Sequence, residues 1–90
     1  MSLEEQFSRA QERVNKLSRR PSDLRLLELY SLYKQATVGD ATGKRPGGAL
    51  DFKGRAKWDA WKQREGLPRE EAMRQYVDLV EVLEGELSGR

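Results

Sequence analysis

Tyr30, Tyr33 and Lys34 stand at positions i, i+3 and i+4, so two phenols and an ammonium would share one face of a helix. Lys53 and Lys57, four apart, would share a face of another. Set side by side on parallel helices, these residues would pair ammonium donors with phenolic hydroxyls and aromatic planes. That combination suits a ligand with both phosphates and a purine, because ammonium groups meet phosphate as point charges and rings stack on bases. The same spacing also fits a plain surface. Lysines four apart commonly do no more than solvate a helix, and tyrosines commonly pack with their hydroxyls outward.

Other chemistry has little to build on. The chain has no cysteine, which removes disulfides, thiolate nucleophiles and Cys-based metal sites. It has no histidine, which removes the commonest general base and the commonest zinc ligand. Asp51 with Asp59, or Glu70 with Glu71, could be drawn as an acid and base pair, but helix capping and surface charge explain them more simply. The stretch Gly39 to Gly48 lacks a preceding strand and a Walker pattern, so it is no phosphate-cradling loop. Trp58 and Trp61 form an i, i+3 pair; Trp61 is read as core, and Trp58 is left open between core and ligand platform. No catalytic residue, metal site or cofactor is expected.

The elements that must position these residues read as four helices. Leu3, Phe7, Ala10, Val14 and Leu17 form an amphipathic stripe, ended by Arg19-Arg20-Pro21. A second helix starts at Pro21-Ser22-Asp23 and runs to about Val38, with Ser22 as cap. It is apolar on more than one side, through Leu24, Leu26, Leu27, Leu29, Tyr30, Leu32 and Tyr33. Gly39, Gly43, Pro46, Gly47 and Gly48 break any helical pattern across the next connection. A third helix, capped by Asp51, runs through Ala56, Trp58, Ala60 and Trp61 to Arg64, and Gly66 with Pro68 marks its end. The last starts near Pro68, taken as its first helical residue, and buries Ala72, Met73, Tyr76, Val77, Val80, Leu83 and Leu87. Short connections after the first and third helices and a long one after the second predict an all-α four-helix bundle, up-down-down-up.

Ninety residues suit one domain, taken as 1–90. With 37% hydrophobic and 36% charged residues, the interior is thin and the surface densely ionic. The first residues are acidic without the apolar run of a signal peptide, and no eighteen consecutive apolar residues occur, so a cytoplasmic protein is expected. The net charge of +2 hides an asymmetry: residues 44–64 are strongly basic, and residues 65–90 are net acidic. A basic centre beside an acidic tail suggests a local anion site.

The run Leu29-Tyr30-Ser31-Leu32-Tyr33-Lys34-Gln35-Ala36-Thr37-Val38-Gly39-Asp40, then Arg45-Pro46-Gly47, then Leu50-Asp51-Phe52-Lys53-Gly54-Arg55-Ala56-Lys57-Trp58-Asp59-Ala60-Trp61, resembles the acyl-CoA-binding protein family. The resemblance continues through Glu71-Ala72-Met73-Arg74-Gln75-Tyr76-Val77 and covers essentially the whole chain. It implies a carrier that holds medium- and long-chain fatty acyl-CoA esters and performs no reaction on them. By this resemblance Tyr30, Lys34 and Lys57 grip the 3′-phosphate of the adenosine, and Tyr33 lies beside the adenine. Tyr76 contacts ligand, Lys53 stands near the head group, and Leu26, Leu27 and Ala56 line the acyl groove. Two positions depart from the family pattern. Asn15 stands where a lysine commonly contacts the head group, with Lys16 next to it, and the segment Gly47-Gly48-Ala49-Leu50 is one residue longer.

The expected partner is the fatty acyl-CoA ligand, bound by a monomer, with no stable membrane insertion and at most transient contact with membranes or acyl-CoA-using enzymes. The rival reading is a helical module that binds nucleic acid or protein through its basic centre. Its scattered basic residues carry no helix-turn-helix pattern.

Overall fold

Helix α1, Leu3–Val14, begins at a reciprocal cap: the Glu5 amide donates to the Ser2 hydroxyl at 3.1 Å, and the Ser2 amide donates to the Glu5 carboxylate at 3.1 Å. It stops at Val14, short of the expected Leu17. Asn15 and Ser18 are weak helix formers that compete for backbone bonds. The amides of Lys16 and Leu17 turn to carbonyls three residues back, Arg13 at 3.0 Å and Val14 at 3.5 Å. Leu17 still packs against the core from this tightened turn.

Helix α2, Asp23–Thr37, is capped by Ser22, whose hydroxyl accepts from the Arg25 amide at 3.2 Å. Helix α3, Phe52–Lys62, is capped by Asp51, whose carboxylate accepts from the Gly54 amide at 3.0 Å. A side chain at Gly54 would press on that carboxylate, so the capping side chain would have to shift if the glycine were replaced. The chain leaves α3 two residues earlier than expected, because Arg64 and Glu65 already bond three residues back. It turns at Gly66, whose φ of +88° is left-handed and favours glycine. Helix α4, Arg69–Glu86, has Pro68 as its N-cap, not as its first helical residue. The structure, a computed structural model, describes residues 1–49 and 51–87, and among these four helices are present and no strand. Leu50, in the lengthened loop, lies outside the described residues.

Helix directions follow from which ends meet. Arg13 at the end of α1 pairs with Glu84 at the end of α4, so these two run parallel. Arg25 at the start of α2 pairs with Glu86 at the end of α4, so these are antiparallel. Tyr30 meets Lys57 and Lys34 meets Trp61, so α2 and α3 run parallel. The order is up-down-down-up. Helix α4 packs on α1 and on α2, whereas α3 packs on α2 alone.

The core joins Phe7 and Ala10 of α1, Leu29, Leu32 and Ala36 of α2, and Ala72, Tyr76, Val77, Leu79, Val80 and Leu83 of α4. The expected Met73 and Leu87 flank it half-buried. Trp61 is buried but stands apart, in the seam between α2 and α3. The long connection is fastened to α3 from within. The Trp61 indole donates to the Gly39 carbonyl at 2.7 Å, and the Arg45 guanidinium holds Asp59 through bonds of 2.8 and 2.9 Å. The Gln35 amide, buried under the same connection, donates to Asp40 at 2.8 Å and to the Leu67 carbonyl at 2.9 Å, tying both loops to α2.

Candidate functional site

The parallel seam of α2 and α3 crosses aromatic rings with ammonium groups in a reciprocal pattern. The Lys57 ammonium of α3 lies 5.4 Å from the Tyr30 ring centre of α2, and the Lys34 ammonium of α2 lies 4.8 Å from the Trp61 ring centre of α3. Each helix contributes a ring and a lysine four residues apart, and the parallel direction sets one pair beside the other. Among the described residues, no carboxylate comes within ion-pair distance of Lys34, Lys53 or Lys57. Their charge is free for an anionic ligand.

Two hollows open beside this seam. The larger, about 890 Å3, is lined by Leu26, Leu27 and Tyr30 of α2 and by Phe52, Lys53, Ala56 and Lys57 of α3, with Arg20 and Asp23 at its edge. The smaller, about 530 Å3, lies between the turn after α1 and the α2 and α4 faces, and Asn15, Arg19, Tyr33 and Tyr76 are among the residues that line it. Arg20, Leu26 and Tyr30 border both, so the two hollows adjoin. Either is of the size that holds small molecules, roughly 300–1,000 Å3.

The residues singled out from the sequence therefore divide three ways. Leu26, Leu27, Tyr30, Lys53, Ala56 and Lys57 line the larger hollow, and Tyr33 and Tyr76 line the smaller. Lys34 lines neither and sits one turn further along, on Trp61. Trp58 is half-buried, with its indole directed at the Thr42 carbonyl at 3.5 Å, and lines neither hollow. Asn15 borders the smaller hollow, but its neighbour Lys16 does not; the cations there are Arg19 and Arg20.

Two contributors were not singled out as site residues. Phe7 supports the tyrosines, its ring stacked with Tyr33 at 6.1 Å and meeting Tyr76 edge-on at 5.0 Å. Arg20, read only as part of a helix stop, borders both hollows; the signal was a basic pair directly before the start of α2. Burial, and secondarily the neighbouring Tyr33, push the Tyr76 phenol above its ordinary value, so it remains a neutral hydrogen-bonding group.

The site is thus a paired-helix seam with lysines over aromatic faces, next to a hollow walled in part by Leu26, Leu27 and Ala56. A model of the acyl CoA binding protein family matches residues 4–80. The chain belongs to the acyl-CoA-binding protein family. An acyl-CoA-binding protein of Brassica napus is 52% identical over 89 residues, which cover 98% of this chain and 96% of that one. An acyl-CoA-binding protein homolog of Manduca sexta is 51% identical over 83 residues, 92% of each chain. The crystal structure of acyl-CoA-binding protein 2 of Oryza sativa superposes with a TM-score of 0.89 at 46% identity, covering 97% of this chain and 96% of that one. The family is one of binding proteins, and no helix among the described residues is long and apolar enough to cross a membrane.

Proposed function

We propose that the protein binds medium- and long-chain fatty acyl-CoA esters with high affinity and serves as their cytoplasmic carrier and pool former, as a monomer and without transforming them. The observation that carries this reading is the seam itself: Lys57 over Tyr30 and Lys34 over Trp61, unpaired with carboxylates, beside a hollow walled by Leu26, Leu27 and Ala56. In this reading Tyr30, Lys34 and Lys57 take the 3′-phosphate, and Tyr33, with Tyr76 behind it, borders the adenine in the smaller hollow. Lys53 stands near the head group, and the acyl chain lies along the larger hollow. No cofactor is required, since nothing is converted.

Magnitudes assign the parts. An acyl tail of about fifteen methylene and methyl groups at ~0.8 kcal/mol each gives roughly 12 kcal/mol of gross transfer energy, part of which is consumed by ordering. A phosphate contact from a partly exposed lysine adds about 1 kcal/mol, small in affinity but decisive for which head group is accepted. Calorimetric titration with palmitoyl-CoA, palmitate and free coenzyme A checks the proposal. Palmitoyl-CoA should bind far more tightly than either fragment, since each alone forfeits half of the interface. Equal affinity for palmitate and its thioester would refute the head-group assignment.

The rival, a nucleic-acid module, needs a basic surface that tracks a phosphate backbone. Here Arg45 is held by Asp59, and Lys62 by Glu65, so two cations of the basic centre are already engaged by carboxylates.

A further inference from the structure

The connection between α1 and α2 carries a serine that the binding reading leaves unused. Arg19 and Arg20 stand three and two residues before Ser22, and no other serine of the chain has an arginine at either place. All three side chains are exposed, while Pro21 between them is buried and anchors the segment. Residues 15–22 lie outside the helices, and the Ser22 backbone is extended, with φ −61° and ψ 162°. Neither arginine is firmly held. Arg20 meets Asp23 at 3.1 Å with both side chains mostly in water, and Arg19 reaches only the Glu86 carbonyl, at 3.2 Å. Exposed contacts of this kind cost little to release.

An extended, exposed segment with two arginines ahead of a hydroxyl has the shape and charge that an acidic substrate groove of a protein kinase selects. The serine also stands where a new charge would be felt. Its neighbours Arg20 and Asp23 edge the larger hollow, and Arg20 borders the smaller one as well. Ser22 itself lines neither, and its hydroxyl accepts from the Arg25 amide at 3.2 Å as the cap of α2.

We propose that Ser22 is a phosphorylation site for an arginine-directed protein kinase, and that the modification weakens binding of a polyanionic ligand in the adjoining hollows. The γ-phosphoryl group of ATP passes to the Ser22 Oγ. A P–O bond forms there, the bond from the γ-phosphorus to the bridging oxygen breaks, ADP leaves with the electron pair, and the hydroxyl proton goes to the carboxylate base of the kinase. The product carries about two negative charges at neutral pH. The first turn of α2 tolerates them, because its amides and its dipole favour an anion. Arg20 then turns from the Asp23 carboxylate to the phosphate, a stronger charge-assisted partner. The hollows lose a cation from their shared edge and gain a like charge against the ligand's own phosphates. The change in affinity rests on the acyl-CoA reading, whereas the modification itself requires no ligand.

The test incubates the folded, ligand-free chain with magnesium ATP and a calmodulin-dependent protein kinase, which reads an arginine three residues before its serine, and locates the phosphate by mass spectrometry of peptides. Phosphate is expected on Ser22. Ser22→Asn, which keeps a capping side chain, should take none there, and Arg19→Gln should slow the reaction about tenfold through loss of a charged contact to the kinase. The phosphorylated chain should then bind palmitoyl-CoA about fivefold more weakly than the unmodified one, with a difference that shrinks as salt is raised. Its melting temperature should be no lower, and unmodified Ser22→Asn should bind as the parent does. A folded chain that takes no phosphate at Ser22, or takes it as fast with Arg19→Gln, overturns the site. Unchanged affinity after phosphorylation, or a loss matched by a fall in melting temperature, overturns the effect on binding. Phosphorylation of Ser22 in a chain that binds no palmitoyl-CoA would sink the acyl-CoA reading and leave the site standing, so the two fail separately.

Discussion

Where α4 meets α1 and the start of α2, arginines end on carboxylates; in the seam of α2 and α3, Lys34 and Lys57 end on rings. Arg13 holds Glu84 through bonds of 3.0 and 2.8 Å, and Arg25 reaches both Glu28 and Glu86 at 3.2 Å. Ser18 and Arg19 close the same end, donating to the carbonyls of Leu87 and Glu86 at 2.7 and 3.2 Å. Around the seam, by contrast, Lys34 and Lys57 have only the faces of Trp61 and Tyr30. A ring attracts a cation by only about 0.5–1 kcal/mol at exposed sites, so these lysines remain available to a stronger anion. The first region spends its charge on its own architecture, and the seam holds two lysines in reserve. Helix α3 can belong to the second region because it packs on α2 alone and leaves the core to the other three helices.

The division predicts that stability and binding respond to different substitutions. The largest effect is expected from Leu83→Ala, at a fully buried position of α4. Removing that much of a packed side chain costs about 3 kcal/mol in transfer and cavity terms together. Chemical denaturation should show the loss, while the affinity per folded molecule, measured by calorimetry below the unfolding transition, stays as it was. A matched loss of affinity would mean that the core and the seam are coupled, and the contrast drawn above would fail.

Lys57→Ala and Lys34→Ala should behave in the opposite way. Each is expected to weaken palmitoyl-CoA binding by about 1 kcal/mol, roughly fivefold, and to leave the denaturation midpoint within error. Shorter acyl chains should lose by the same factor, because a phosphate contact is blind to the tail. A loss confined to long chains would place the altered lysine on the acyl slot. Comparing the two variants sharpens the picture: Lys57 lines the larger hollow and Lys34 does not, so equal losses require the ligand's phosphate to reach past the hollow to the ring of Trp61.

Much of this was legible in the sequence, for identifiable reasons. Caps at Ser2, Ser22 and Asp51 act locally, and two of them, Ser22 and Asp51, were read correctly before any fold was known. That lysines and tyrosines would meet across α2 and α3 followed once the two were taken as parallel neighbours, since helical periodicity fixes each residue's face; that Lys57 is the lysine over Tyr30 comes from the structure. What stayed hidden depends on contacts between segments distant in the chain. Phe7 reads as one more core residue in the stripe of α1; only the packed bundle places its ring against both Tyr33 and Tyr76. Trp61 was read as core, and it is buried, but its indole is turned to a loop carbonyl and its face to an ammonium. Helix ends shifted where backbone turns tightened after Val14 and Lys62, an outcome decided by amides that bond to carbonyls three residues back instead of four.

The smallest expected effect comes from the ion pair that closes the α1–α4 side, and it carries a sign that depends on pH. Hydrogen bonding to Arg13 holds the Glu84 carboxyl below its ordinary value of 4.5. A group whose pKa is depressed by folding stabilises the fold above its unfolded value, and that stabilisation disappears as pH falls through the folded value. Both partners are more than a third exposed, so solvent screening limits the pair to about 0.5 kcal/mol. Glu84→Gln should therefore lower the melting temperature slightly at neutral pH and make no difference once the medium is acidic enough to protonate Glu84. Binding of palmitoyl-CoA should be unaffected at neutral pH, because neither Arg13 nor Glu84 borders the hollows. A pH-independent difference between the two melting curves would show that the contact acts through packing of the long side chains, and the assignment of this side's cohesion to paired charge would have to be withdrawn.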